Sequence, residues 1–196
     1  MKWIIVGLGN PGGEYDNTRH NVGRMVLEHI RCVEELSDWE MKKSWNALSS
    51  LGTIAKQEVL CIEPETFMNN SGKSLLPLVK SKKQASQLVV LHDDIDLPLG
   101  RWKFAWNRGS GGHKGIESIM RLLKTKEFVR MRIGVSPENA KGVARKPKGE
   151  EAVIKFVLGK FKEDETKVLK KVSKEINEAV AVLVKDGLDA AMNQFN

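Results

Sequence analysis

The sequence has few cysteines, no long apolar run and no zinc-binding spacing, and each absence excludes a class of protein. Its two cysteines, Cys32 and Cys61, lie in apolar segments, which favours buried free thiols in a reducing compartment over a disulfide. No apolar run approaches the roughly 20 residues of a membrane-spanning helix. The first four residues lack the apolar segment of a secretory signal, so we expect a cytoplasmic protein. No H-x-x-x-H or C-x-x-C spacing indicates zinc.

Positive charge exceeds negative charge. The 196 residues include 32 Lys and Arg against 25 Asp and Glu, for a net charge of +7, and 41% are hydrophobic. This length and apolar content fit one packed domain. The charge favours an acidic partner such as nucleic acid or phosphate, although a lysine-rich solvated surface would give the same balance.

Short apolar runs alternate with helical patterns along the chain. Strands are predicted at 3–8, 48–54, 58–62, 88–91, 101–106 and 129–135, and helices at 22–33, 70–82, 116–123 and 169–183. Pro77 must start, kink or break the second helix. The alternation predicts an α/β fold: a single domain, 1–196, of three layers, with helices flanking a central twisted mixed sheet that is mostly parallel. A hairpin at Gly52 would supply its antiparallel part, and residues 136–151 are predicted to form a mobile basic loop.

Residues 7–12 spell G-x-G-x-x-G, the spacing of a dinucleotide-binding loop, but their surroundings do not fit that use. Such a loop should open directly into a helix and be followed by a second strand that ends near an acidic residue. Here Pro11 interrupts the motif, more loop follows, and no second strand is predicted before residue 48. A nucleotide-dependent enzyme is therefore the disfavoured alternative.

His20 is the candidate general base, because imidazole titrates closest to neutral pH. Asn17 or Thr18 could cap the helix that follows, leaving His20 in its first turn. The positive end of that helix would then keep the ring neutral, as a base requires. A histidine that only caps or packs is the competing interpretation.

Three further polar clusters lie at predicted ends of strands or starts of helices. Amide side chains in 64–72 could hold a carbonyl or ribose hydroxyl, or merely cap a helix. Carboxylates in 92–96 could bind Mg²⁺, orient a histidine or form a solvated turn. The glycines of 109–115 suit an anion or oxyanion. Ser110 is not in a G-x-S-x-G elbow, which argues against a serine hydrolase. In an open α/β sheet such ends converge on one crevice.

In order along the whole chain, these blocks resemble the bacterial-type peptidyl-tRNA hydrolase family. The T-R-H-N block at 18–21 and the F-M-N-x-S-G block at 67–72 are specific features. The resemblance implies hydrolysis of the ester between a peptide and the terminal ribose of tRNA. It also implies a monomer that acts on the tRNA acceptor end without metal, cofactor, membrane or obligate protein partner. A non-catalytic RNA-binding member of the same fold stays open as an alternative.

The resemblance also assigns residue roles. His20 would activate water, Asp93 would hold its ring, and Asn10 and Asn69 would grip the peptidyl carbonyl and the ribose end. Substrate and tRNA contacts would come from Tyr15, Asn21, Phe67, Met68 lining the cleft, His113 at its rim, Lys114, Lys103 and Arg132.

Lys114 departs from the family pattern, which has asparagine after the loop histidine (G-G-H-N-G). An ammonium group donates hydrogen bonds but cannot accept them, and it carries a full charge. Lys114 could contact a tRNA phosphate or an oxyanion, or it could weaken the positioning of water. Four cations of the predicted loop could close over the acceptor stem: Lys141, Arg145, Lys146 and Lys148.

Overall fold

The computed structural model describes residues 2–196 and builds them around one seven-stranded sheet. The strands are β1 Trp3–Gly7, β2 Glu40–Lys42, β3 Ala47–Ile54, β4 Gln57–Pro64, β5 Leu88–Pro98, β6 Trp102–Trp106 and β7 Val129–Ser136. The helices are α1 Val22–Val33, α2 Gly72–Leu75, α3 Lys82–Ala85, α4 Lys114–Leu123, α5 Glu150–Val157, α6 Glu163–Asp186 and α7 Leu188–Phe195.

The sheet has the order β2-β3-β4-β1-β5-β7-β6. Its four central strands, β4, β1, β5 and β7, run parallel, and the pairings toward both edges are antiparallel. The predicted mixed sheet is thereby confirmed. The predicted antiparallel hairpin that contains Gly52 is confirmed as β3 and β4. Gly52 lies inside β3, where a Cβ would come 2.5 Å from Leu36, and the turn is made by Ala55 and Lys56 with positive φ.

Helices cover both faces of the sheet, which confirms the three-layer prediction. In β1, Ile5 packs toward α1 and α6, whereas Ile4 and Val6 pack toward α2 and α4, as the alternation of a strand requires. Cys61 is buried in the first of these cores, but Cys32 is exposed, contrary to its expected burial. None of the helices in residues 2–196 combines the length and apolar character that crossing a bilayer requires.

Two predicted segments differ in the structure. Residues 70–82 do not form one helix: α2 ends at Leu75, before Pro77, and α3 begins only at Lys82, because proline cannot donate the next helical hydrogen bond. The predicted loop 136–151 includes the end of β7 and the first turn of α5, and an isolated bridge pairs Glu138 with Ala144. Its mobility stays a prediction.

A close approach at Gly23 brings the first helix onto the carboxyl ends of the central strands. A Cβ on Gly23 would lie 2.3 Å from the carbonyl oxygen of Leu91 in β5 and 2.7 Å from backbone atoms of Leu8. No larger residue allows this distance. The turn just before α1 is therefore held against the end of β5, and the two meet at the candidate site.

Candidate active site

His20 and Asp93 form a hydrogen-bonded pair. His20 lies in a 3₁₀ turn, Arg19–Asn21, immediately before α1, rather than in the helix as predicted. The Thr18 side chain donates to the carbonyl of Tyr15 and does not cap this turn. The Nδ1 atom of His20 is 2.9 Å from Oδ1 and 3.1 Å from Oδ2 of Asp93, at the end of β5. With its Nδ1 proton on the carboxylate, neutral His20 keeps Nε2 as a free proton acceptor.

The charge environment of His20 is set by Asp93 and burial, which the expectation based on a helix end did not include. Burial alone would lower the pKa of His20, but the charge and hydrogen bond of Asp93 outweigh it and raise the pKa above its ordinary value of 6.5. Burial alone would likewise raise the pKa of the Asp93 carboxyl, yet the imidazoles of His20 and His113 hold it well below its usual range. Asp93 is therefore a buried carboxylate that favours a protonated His20.

His113 contacts the same carboxylate from the opposite side. Its Nε2 atom is 2.8 Å from Oδ1 of Asp93. Its Nδ1 atom accepts from the backbone N–H groups of Gly115 and Ile116, at 3.1 and 3.3 Å, and so caps α4. These partners assign the proton to Nε2. Only 8% of the side chain is exposed, so His113 lies deep in the wall of the site instead of standing at its rim.

The side chains of His20, Asp93 and His113 lie close enough together to bind a metal ion, but their protonation does not suit one. One nitrogen or oxygen from each of His20, Asp93 and His113 lies within 4.8 Å of the others. Because Nδ1 of His113 accepts two backbone N–H groups, a metal on its Nε2 would require an imidazolate, whereas metal-ligating histidine is normally neutral. The donor set fits a shared hydrogen-bonded carboxylate.

Two of the asparagine side chains hydrogen-bond to the backbone of neighbouring segments, and a third is exposed. Asn10 accepts from the backbone N–H of Met68 through Oδ1, at 2.8 Å. Asn21 uses both ends of its amide on the backbone of Asn10, accepting from the N–H and donating to the carbonyl at 2.9 Å each. Because both ends of the Asn21 amide are engaged in this way, Asn21 braces Asn10, and this differs from the predicted substrate contact. Asn69 is exposed.

Aromatic and sulfur-containing side chains surround these amides. Phe67 is 58% exposed and meets Tyr15 edge to face, with ring centroids 6.4 Å apart. Met68 is buried against the start of α4, where a Cβ on Gly115 would come 2.5 Å from its sulfur. Met68 therefore lies beneath the surface formed by its neighbours, while Phe67 presents an apolar face to solvent.

A cavity of about 920 Å³ opens beside His20, Asp93 and His113. We call this cavity the cleft. It brings together five of the predicted residues: His20, Asp93, His113, Lys114 and Arg132. Its apolar wall is formed by Phe104, Trp106, Val153, Ile154, Val157, Leu188 and Met192. The other seven predicted residues do not line it: Asn10, Tyr15, Asn21, Phe67, Met68, Asn69 and Lys103. Asn21 follows His20 in the 3₁₀ turn and contacts Asn10.

Basic side chains lie on the two strands at the cleft edge. Arg132 in β7 pairs with Asp94 at 2.5 Å, and Lys103 in β6 is its direct antiparallel neighbour. The neighbouring Arg130 is buried and donates to the carbonyl of Gly109 at 2.9 Å, and burial lowers its pKa. Sequence analysis missed Arg130, because nothing in its local pattern distinguishes a loop anchor from a surface cation.

Arg19 was also missed, although it belongs to the T-R-H-N block. Its guanidinium forms two hydrogen bonds to Glu165, at 2.9 and 2.7 Å, and donates to the carbonyls of Gly159 and Lys160. It also lies over two aromatic rings, Phe156 and Phe161. Arg19 thus fastens the turn that carries His20 to the junction of α5 and α6.

The glycine-rich segment 7–12 is not built as a dinucleotide site. It runs into a 3₁₀ turn, Gly13–Tyr15, and α1 begins only at Val22, so no helix N-terminus follows the glycines directly. Its role in the structure is to carry Asn10.

Comparisons with known proteins identify the family of the chain. A family model described as peptidyl-tRNA hydrolase matches residues 4–196. A peptidyl-tRNA hydrolase of Alkaliphilus oremlandii is 42% identical over 98% of each chain, and one of Syntrophotalea carbinolica is 37% identical over 98% of this chain and 96% of its own. The crystal structure of peptidyl-tRNA hydrolase from Acinetobacter baumannii superposes with a TM-score of 0.87 at 31% identity, covering 99% of this chain and 94% of that one. The chain therefore belongs to the peptidyl-tRNA hydrolase family.

Proposed function

We propose that the chain hydrolyses the ester bond of peptidyl-tRNA, releasing free tRNA and peptide, with His20 as the general base. The observation that carries this proposal is the hydrogen bond from Nδ1 of His20 to buried Asp93, which leaves Nε2 as the proton acceptor. Family membership supports the substrate class.

The reaction proceeds through one base and no covalent enzyme intermediate. Nε2 of His20 takes a proton from water as its oxygen attacks the ester carbonyl carbon, and Asp93 stabilises the imidazolium that forms. The tetrahedral intermediate collapses by breaking the bond to the terminal ribose oxygen, and the imidazolium returns the proton to that oxygen. General-base help of this kind contributes roughly 10²–10⁴-fold.

Asn10 and Asn69 supply hydrogen bonds to the substrate in this proposal. Because the backbone of Met68 occupies Oδ1 of Asn10, the NH₂ group of that side chain is the end directed to the peptidyl carbonyl. Asn69, which is exposed, grips the ribose end. One such donor to a developing oxyanion contributes on the order of 10²–10³-fold. Tyr15 and Phe67 offer an apolar face to the peptide.

Phosphate contacts hold the tRNA acceptor end. Arg132 and its neighbour Lys103 provide adjacent cations beside the cleft, and Lys114 adds a third inside it. The segment 136–151 closes over the acceptor stem with its cations, one of which, Lys146, pairs with Asp96 at 2.5 Å in the structure. The enzyme acts as a monomer in the cytoplasm, where ribosomes form its substrate, and requires no obligate protein partner.

The decisive experiment incubates the protein with N-acetyl-aminoacyl-tRNA, with and without chelator. His20→Ala should lower the hydrolysis rate by at least about 10²-fold while tRNA affinity stays within about threefold. His29→Ala, which removes a histidine of α1 outside the cleft, is the matched control and should retain the rate. Absence of hydrolysis by the unmodified protein, with tRNA binding intact, would support the RNA-binding alternative instead.

A further inference from the structure

One carboxylate oxygen serves two imidazoles. Oδ1 of Asp93 is 2.9 Å from Nδ1 of His20 and 2.8 Å from Nε2 of His113, whereas Oδ2 is 3.1 Å from His20 alone. The two rings lie side by side, with centroids 5.2 Å apart. Within residues 2–196, side-chain hydrogen bonds to this carboxylate come from these two rings.

His113 is fixed as a hydrogen-bond donor to Asp93. Its Nδ1 atom accepts the first backbone N–H groups of α4, so the proton sits on Nε2 and points to Asp93. The positive end of the α4 dipole therefore reaches the carboxylate through this ring. A lone pair engaged by His113 is less available to His20.

We propose that His113 is a positioning residue that acts through Asp93, and that by sharing the carboxylate it limits how tightly Asp93 holds the protonated base. This inference rests on the proposed function, since it concerns the base of that reaction. It gives His113 a role through the carboxylate, in place of a substrate contact at the rim.

The other charged or titratable groups around Asp93 are already engaged or remote from the carboxylate. On β5, His92 donates from Nδ1 to the Asp93 carbonyl at 2.7 Å, and burial holds its pKa well below 6.5, so it is neutral. On β7, Arg130 binds the Gly109 carbonyl and Arg132 binds Asp94.

Two further cations approach from other elements. On the 3₁₀ turn, Arg19 is bound to Glu165. On α4, the side chain of Lys114 is 61% exposed, and Glu117 is 4.0 Å from its Nζ. Removal of His113 therefore leaves His20 as the remaining side-chain donor to the carboxylate. The hydrogen bond and charge of Asp93 then act on His20 alone, and the pKa of His20 rises.

The test follows the titration of His20 in the free protein by NMR and in kcat/KM by pH–rate profile. His113→Asn keeps a good cap for α4 but has too short an amide to span to Asp93 as well. It should move the His20 midpoint upward by about 0.5 pH unit, which lowers kcat/KM about threefold on the acidic limb. His113→Ala should give the same shift, and His29→Asn should give none.

The outcomes separate the two proposals. A His20 midpoint that stays in place or moves downward in both His113 variants, with a uniform loss of rate at all pH values, would overturn the positioning role and assign His113 to substrate contact or structure. Hydrolysis that is unaffected by His20→Ala would overturn the proposed function itself, whatever the NMR midpoint shows.

Discussion

At the scale of single residues, the pair of His20 and Asp93 sets the pH at which the site can work. A base must be neutral to accept a proton, and the Asp93 carboxylate raises the pKa of His20 although burial opposes it. We therefore expect kcat/KM to increase with pH, with a midpoint above 6.5. A midpoint below 6.5 would show that burial, and not Asp93, dominates at His20.

Asp93→Asn tests how the carboxylate of this pair affects the pKa of His20 and the rate of hydrolysis. Loss of the carboxylate should lower the pKa of His20 and move the midpoint downward, because burial then acts unopposed. The plateau rate should nevertheless fall by about 10²-fold or more, since the imidazolium loses its counter-charge and the ring its fixed tautomer. The pH–rate profile of this variant measures both effects. Asp164→Asn, which changes an exposed carboxylate of α6 outside the cleft, serves as the control.

Lys114 occupies the position where the family pattern has asparagine. Its ammonium group is largely solvated, with Glu117 4.0 Å away. We predict that Lys114→Asn changes kcat by less than tenfold, because no hydrogen bond to His20 or Asp93 is lost. Lys170→Asn, on the exposed face of α6, controls for the loss of charge. An increase in kcat of more than tenfold would mean that Lys114 impairs hydrolysis in this chain.

At the scale of elements, the sequence predicts those strands and helices that have a local pattern of apolar residues. The β-branched run at 3–8 predicts β1, and helical spacing predicts α1 and α6. The three-residue edge strand β2 has no such pattern and is missed. The same limit explains Arg19 and Glu165, which are 146 positions apart, because no spacing rule relates residues at that separation.

Arg19→Lys should destabilise the fold more than an equivalent change elsewhere. Lysine cannot form the paired hydrogen bonds to Glu165 or reach the two carbonyls as well, and the site is nearly buried. We expect a loss of about 2–4 kcal/mol in the free energy of unfolding, measured by urea denaturation. Arg31→Lys, in a similar but more exposed pair with Glu28, should cost about 1 kcal/mol or less. Equal losses would contradict a special role for Arg19.

At the scale of the whole molecule, parallel strand ends collect residues that are distant in sequence. Sequence analysis predicted that His20 and the polar clusters 64–72, 92–96 and 109–115 would converge on one crevice. The structure places His20, Asp93 and the glycines of 109–112 on the wall of one cleft, whereas the amides of 64–72 lie outside its lining. The sequence could not predict which side chains support the position of other side chains. Asn21 and His113 both carry polar groups typical of binding sites, and their partners, Asn10 and Asp93, are supplied by the fold.

The net charge of +7 leads to a prediction for the whole enzyme. If cations beside the cleft hold tRNA phosphates, kcat/KM should fall steeply with salt, with a logarithmic slope of about −0.7 to −0.9 for each contact. Arg132→Gln should make this slope shallower by about that amount. The exposed Lys170→Gln on α6 should leave it unchanged. A profile that is flat in salt would contradict phosphate recognition.

The anchoring of the His20 turn has a consequence for folding during translation. While it is being translated, the chain is itself a peptide esterified to tRNA. Arg19 holds the turn to Gly159, Lys160 and Glu165, so this anchor cannot form until residue 165 has been added to the chain. The turn that carries the general base therefore gains this anchor late in translation, after all seven strands of the sheet have been synthesised.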